Sequence, residues 1–190
     1  IRNMGLAAIE REFGESGRFW WDLAHGRDER EVHAERDDAK SISKERTFSE
    51  DVGDPERLHQ VLASQVEDSA RRLRAEGLKS RRVTLKLRLG DFSTFTRSRT
   101  LDEATAQTKE LLAVARSVFE DWLTEGRGAI RLIGAGLGDL TRESQLELFA
   151  PPVSEKKASQ TDAVADAIIE RFGRGAILRA GSLENPDVTV

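Results

Sequence analysis

The sequence predicts an α+β fold: a βαββαβ module whose four-stranded antiparallel sheet carries two helices on one face, with short helices ahead of it and another helix behind. Three observations predict it. Val83, Leu85, Leu87 and Leu89 alternate with Thr84, Lys86 and Arg88, the period-two pattern of a strand with one apolar and one wet face. Leu58, Val61, Leu62, Val66, Ala70 and Leu73 recur at helical spacing, as do Leu111, Leu112, Ala115, Val118, Phe119, Trp122 and Leu123. Extended and helical stretches alternate in the order β-α-β-β-α-β. Two helices on one side of an antiparallel sheet satisfy every apolar face at once and leave the other side of the sheet open.

The elements follow in order. Met4, Leu6, Ile9 and Phe13 mark a short helix ended by Gly14, and Phe19, Trp20, Leu23 and Ala24 a second ended by Gly26. The chain starts at Ile1 already in helical pattern and without a cap, and is read as a piece of a longer one. Residues 27–38 are almost all charged, with Val32 the only sizeable aliphatic residue, which predicts a solvated linker. Residues 40–48, K-S-I-S-K-E-R-T-F, form the first strand. Asp54 as N-cap and Pro55 at the first helical position open a helix of about six turns, closed by Gly77. The next two strands hinge at Gly90-Asp91. Thr100 with Glu103 three residues on reads as the capping box of the second long helix, closed by Gly126. Residues 129–135 are the last strand. Residues 155–160 read as a polar spacer, and Val164, Ile168, Ile169 and Phe172 as a short amphipathic helix ended by Gly173; residues 185–190 are expected to be disordered.

Cysteine is absent, which excludes disulfides and thiolate metal sites. No apolar run approaches the roughly 18 residues that span a bilayer. The charge is unevenly spread. Residues 79–100 hold seven Lys/Arg against one Asp, a local +6 in a chain of net charge −4. The open side of the sheet is expected to carry this excess, with Thr94, Thr96 and Ser98 interleaved. A sheet facing water is polar in any case, but one sign of charge with hydroxyls is what binds phosphate oxygens. Phe92 and Phe95 are the only aromatics in that stretch, which favours duplex backbone over stacked single-stranded bases. Parity leaves open which side chains face the ligand, since Thr96 and Arg97 cannot both do so without a bulge. An acidic protein partner is the competing reading of the same face.

Other motifs carry less. His25, His33 and His59 have no ligand spacing, and they read as surface residues. In Gly134, Gly136 and Gly138 a dinucleotide loop would need its third glycine where Asp139 stands. The acidic residues sit on helix faces and in linkers, so no catalytic or metal-binding residue is assigned. Gln145-Leu146-Glu147-Leu148-Phe149 places three apolar residues in a segment without a regular pattern. Either they fold back on the core or they dock on a partner.

Residues 40–48, V-T-L-K-L-R at 83–88, D-F-S-T-F-T-R-S-R-T at 91–100 and R-L-I-G-A-G-L at 131–137 together resemble the little-finger domain of the Y-family translesion DNA polymerases, bacterial DNA polymerase IV type. F-G-E-S-G-R-F-W-W-D-L-A-H-G-R-D at 13–28 is similar to the end of the preceding thumb, and residues 165–180 look like a C-terminal stretch found in many of these enzymes. The resemblance implies a division into thumb end (1–26), charged linker (27–39), little finger (40–138), clamp-binding segment (139–155) and C-terminal helix and tail (156–190). It implies duplex contacts from Ser41, Ser43, Lys44, Arg46, Thr47, Lys86, Arg88, Thr96, Arg97, Ser98 and Arg99. Q-L-E-L-F resembles the peptide that docks on the bacterial sliding clamp, which implies clamp contacts from Gln145, Leu146, Leu148 and Phe149, with Leu148 and Phe149 filling a hydrophobic pocket and Gln145 hydrogen-bonding at a second. The expected partners are primer–template DNA and the clamp, with no membrane, for a monomer in the bacterial cytoplasm. The parent enzyme is expected to be an error-prone DNA-directed DNA polymerase in DNA repair and lesion bypass, its magnesium held by palm carboxylates that this chain lacks. No cofactor is expected in this chain, and alone it is expected not to polymerise. The alternative is a free-standing, non-catalytic DNA- and clamp-binding module.

Overall fold

The computed structural model describes residues 1–31, 39–142, 153–173 and 175–177, in two compact units, Ile1–Asp38 and Ala39–Val190. In the first, α1 (Leu6–Phe13) and α2 (Ser16–Ala24) form a helical hairpin. A side chain at Gly17 would meet the Ile9 carbonyl at 2.7 Å, so the bare glycine is what lets the two helices close over buried Ile9.

The second unit has strands β1 (Ser41–Val52), β2 (Lys79–Leu89), β3 (Thr94–Thr105) and β4 (Ile130–Thr141), and helices α3 (Pro55–Ala75), α4 (Thr108–Leu123) and α5 (Val153–Phe172). The sheet is antiparallel throughout in the order β1-β4-β2-β3, with α3 and α4 on one face. This is the predicted α+β architecture. Val83, Leu85 and Leu87 of β2, Ile133, Ala135 and Leu137 of β4, Leu62 and Val66 of α3, and Phe119 and Trp122 of α4 make the core. Inside it, Gln65 Nε2 donates to the Ile133 carbonyl at 3.0 Å, fixing α3 to the centre of the sheet.

The boundaries of α3 follow from its sequence. Asp54 accepts from the Glu56 amide at 3.0 Å, and Pro55 occupies the first turn, where its missing N–H costs nothing. At the other end Gly77 adopts φ +65°, and the Leu78 amide reaches back to the Leu73 carbonyl at 2.8 Å, closing a Schellman turn. Asp54→Ala should cost about 1 kcal/mol of stability, measurable as a shifted urea midpoint with an unchanged slope.

Three expectations are corrected. Thr100 and Glu103 do not cap α4. They belong to β3, where Thr100 pairs with Arg82 in the ladder, and the strand continues to Thr105. The α4 N-terminus is capped from a distance instead. Its first amide, Thr108, donates to Asp162 Oδ2 of α5 at 2.8 Å, while the adjoining Gln107 offers no side-chain cap. The last strand runs past residue 135 to Thr141, and residues 155–160 are not a spacer but part of the α5 backbone.

Arg74 of α3 completes this junction. Its guanidinium grips Asp166 with two bonds of 2.6 and 2.9 Å, and donates to the Ala106 carbonyl at 2.8 Å and Thr108 Oγ1 at 3.0 Å. Asp162 lies 3.4 Å away and is 3% exposed. By contrast, Val164 and Phe172 of the same helix are exposed. The polar clasp ties α5 to α3 and α4, while Ile168 and Ile169 of α5 are half-buried.

Candidate nucleic-acid interface

The register decides which side chains share the uncovered face. Because directly paired residues of an antiparallel ladder point the same way, Ser41, Ser43, Glu45 and Thr47 of β1 stand with Gly138, Gly136, Gly134 and Leu132 of β4. Those in turn stand with Arg82, Thr84, Lys86 and Arg88 of β2, and with Thr100, Ser98, Thr96 and Thr94 of β3. Hydroxyls thus flank a row of cations on both sides. Of the residues singled out in the sequence, Ser41, Ser43, Thr47, Lys86, Arg88, Thr96 and Ser98 come together here.

Lys44, Arg46, Arg97 and Arg99 do not. Arg97 pairs with Leu85 and Arg99 with Val83, which are core residues, so both arginines emerge on the helix side. The expectation that the open side carries the whole basic excess is corrected accordingly. Arg97 meets Glu125 at 3.0 Å, and Arg99 meets Asp121 at 2.7 Å and Ser117 at 2.6 Å, all on α4 or just beyond it. Hydrogen bonds from Arg127 and then Arg97 hold the Glu125 carboxyl below the usual carboxylate range. Its pairing is therefore complete at neutral pH and is lost only as pH falls through that lowered value. At the opposite edge Lys44 bonds Asp68 of α3, and Arg46 lies over the Phe48 ring with 5.7 Å to its centroid.

The middle of the open face is a shallow trough floored by β4 and walled by Ser41, Ser43, Thr84, Lys86 and Thr96. Its floor is bare because Gly134, Gly136 and Gly138 occupy every outward position there. A side chain at Gly138 would enter open space, and one at Gly136 would fill the trough beside Ser43. Glu45 crosses this floor: its two oxygens lie 3.0 and 2.9 Å from Lys86 Nζ. Around the rim, Arg88 donates to Thr94 Oγ1 at 2.8 Å, and Arg82 meets Asp139 at 2.9 Å. At the β2–β3 tip, Phe92 is 70% exposed and holds φ +66°, the left-handed region that a bulky residue rarely adopts.

Donors of this kind can bind the oxygens of phosphate groups. Among the described residues no cluster of His, Asp and Glu is placed to hold a metal ion, and no helix is long and apolar enough to cross a membrane. Arg82 was missed as a member of this face, although it shares the parity of Lys86 on its strand, while Thr84 and Thr94 lie on the face where their parity placed them. Glu45 could not be found that way, because its meeting with Lys86 depends on two ladder registers. Gln145, Leu146, Leu148 and Phe149 lie outside the described residues.

Residues 39–148 match the impB/mucB/samB family C-terminal domain. DNA polymerase IV of Caulobacter vibrioides is 35% identical over 182 residues, covering 94% of this chain and 44% of that protein. DNA polymerase IV of Clostridium acetobutylicum is 27% identical over 181 residues, covering 94% of this chain and 45% of that protein. The chain thus spans less than half the length of these relatives. Among solved structures, a complex of a β-clamp processivity factor and the little finger domain of PolIV aligns with a TM-score of 0.43 and 24% identity, over 58% of this chain and 99% of that one.

Proposed function

Since the chain belongs to the impB/mucB/samB family, the Y-family polymerases of the DNA polymerase IV type, we propose that its sheet module is a little finger that holds primer–template duplex by its phosphates. The observation that carries this reading is the uncovered face, where Arg82, Lys86 and Arg88 stand in one row between ranks of hydroxyls. Ser41, Ser43, Thr47, Thr96 and Ser98 supply neutral donors, and the cations supply affinity without sequence choice. Lys44, Arg46, Arg97 and Arg99 lie at the two edges of the sheet, where they serve a backbone running past the rim. The parent enzyme of this reading is a DNA-directed DNA polymerase that copies past damaged bases, with magnesium in a palm outside this chain. Gln145, Leu146, Leu148 and Phe149 are its attachment to the sliding clamp.

A titration of labelled primer–template duplex against salt tests the reading. If three cations replace counterions, log affinity should fall with log salt at a slope of about −3. Affinity indifferent to salt would return the face to a protein-binding role. Lys86→Ala with Arg88→Ala should weaken binding several-fold more than Arg97→Ala with Arg99→Ala. The second pair emerges on the helix side of the sheet, away from the uncovered face. The same titration on both double variants checks this, and equal losses would move the contact to the β3 edge.

A further inference from the structure

We infer that Glu45 is a built-in stand-in for a DNA phosphate, seated on Lys86 in the trough and displaced when duplex binds. The inference rests on the duplex reading of this face and deepens it. Glu45 and Lys86 sit on β1 and β2, separated by the whole width of β4. Ordinarily an intervening side chain would part them. Here the residue between is Gly134, and a Cβ at that position would lie 2.6 Å from Glu45 Cγ. The glycine is the gap through which the carboxylate reaches the ammonium, and both of its oxygens engage it, at 3.0 and 2.9 Å.

The resulting site has the features a phosphate needs. A cation and the hydroxyls of Ser43, Thr84 and Thr96 surround a floor with no side chain on it, so an anionic group can settle close to the backbone. Glu45 fills that site while no DNA is present. The pair is partly open to water, with Lys86 36% and Glu45 41% exposed, so it forms and breaks readily. A duplex phosphate arriving at Lys86 must therefore exchange with a carboxylate as well as with a counterion. This lowers affinity at the centre of the sheet and leaves the rim cations unaffected, which makes the hold on DNA loose enough to travel.

The test uses the whole chain and a labelled primer–template duplex, with anisotropy titrations over a range of salt. Three variants are compared with the parent sequence: Glu45→Gln, Lys86→Gln and, as a control for net charge, Glu56→Gln on the first turn of α3. Thermal melts confirm that each is folded. Glu45→Gln is expected to bind about three- to tenfold tighter than the parent with the salt slope unchanged, because Lys86 meets a phosphate in both and only the competing carboxylate is lost. Glu56→Gln should leave that slope unchanged, and Lys86→Gln should make it shallower. If Glu45→Gln matches Glu56→Gln in affinity, the stand-in role is overturned while the duplex reading survives. If the parent chain shows no salt-dependent duplex binding, both fall.

Discussion

Replacing Leu148 and Phe149 together with alanine is expected to lower affinity for a bacterial sliding clamp at least about a hundredfold and to leave duplex affinity unchanged. Anchors that fill a partner's pocket each contribute on the order of 2 kcal/mol or more, and each 1.4 kcal/mol is tenfold in affinity. Two anchors lost from one short peptide therefore leave little binding. Gln145→Ala should cost less, because a polar contact at a pocket rim is partly replaced by water. Calorimetry against a purified clamp, beside the duplex titration on the same protein, separates the two surfaces. Clamp affinity that survives the double substitution would assign the pentapeptide to the protein's own core.

Arg74→Ala is expected to free α5 from the body and destabilise the second unit by about 2–3 kcal/mol. Removing one member of a buried ion pair costs on the order of 3–5 kcal/mol, discounted here because Arg74 and Asp166 are both partly open to solvent. Asp162 is the decisive partner. It is almost wholly buried, and the guanidinium lies 3.4 Å from its carboxylate beside the α4 N-terminus. Ala165, Ile168 and Ile169 of α5 are only half-buried, and a helix in a protein owes most of its stability to its contacts with the rest of the fold. Hydrogen exchange reports the result directly: the amides of residues 160–172 should lose protection while those of α3 keep theirs. Protection unchanged in Arg74→Ala would mean that apolar packing holds the helix.

What could be read from the sequence was what a single element states about itself. Alternation in β2 separated Leu85 from Lys86 because one face of that strand meets helices and the other meets water. The Asp54-Pro55 start and the Gly77 stop of α3 were legible because a cap is a local bond. Features made by two distant segments were not. Thr100 and Glu103 have the spacing of a capping box, yet the ladder with β2 claims Thr100, and the cap on Thr108 arrives from Asp162, 54 positions beyond it. Arg97 and Arg99 look like members of a basic face until the register sets them opposite Leu85 and Val83. On an edge strand a long cationic side chain can point to the core side and still reach water past the helix, so charge does not reveal its side there.

The clasp on α5 also sets a length. β4 ends at Thr141, and α5, held by Asp162 and Asp166, starts again at Val153, so residues 143–152 are tethered to the same folded unit at both ends. A fully extended chain covers about 3.5 Å per residue, so the middle of this span can stand no more than about 18 Å from its nearer anchor. Were a partner to bind residues 145–149, the two covalent anchors would keep it within that reach of the sheet module and so raise its effective concentration there. Opening the clasp would leave one anchor where there are now two. The same peptide, with the same contacts, would then hold its partner at a much longer and looser distance.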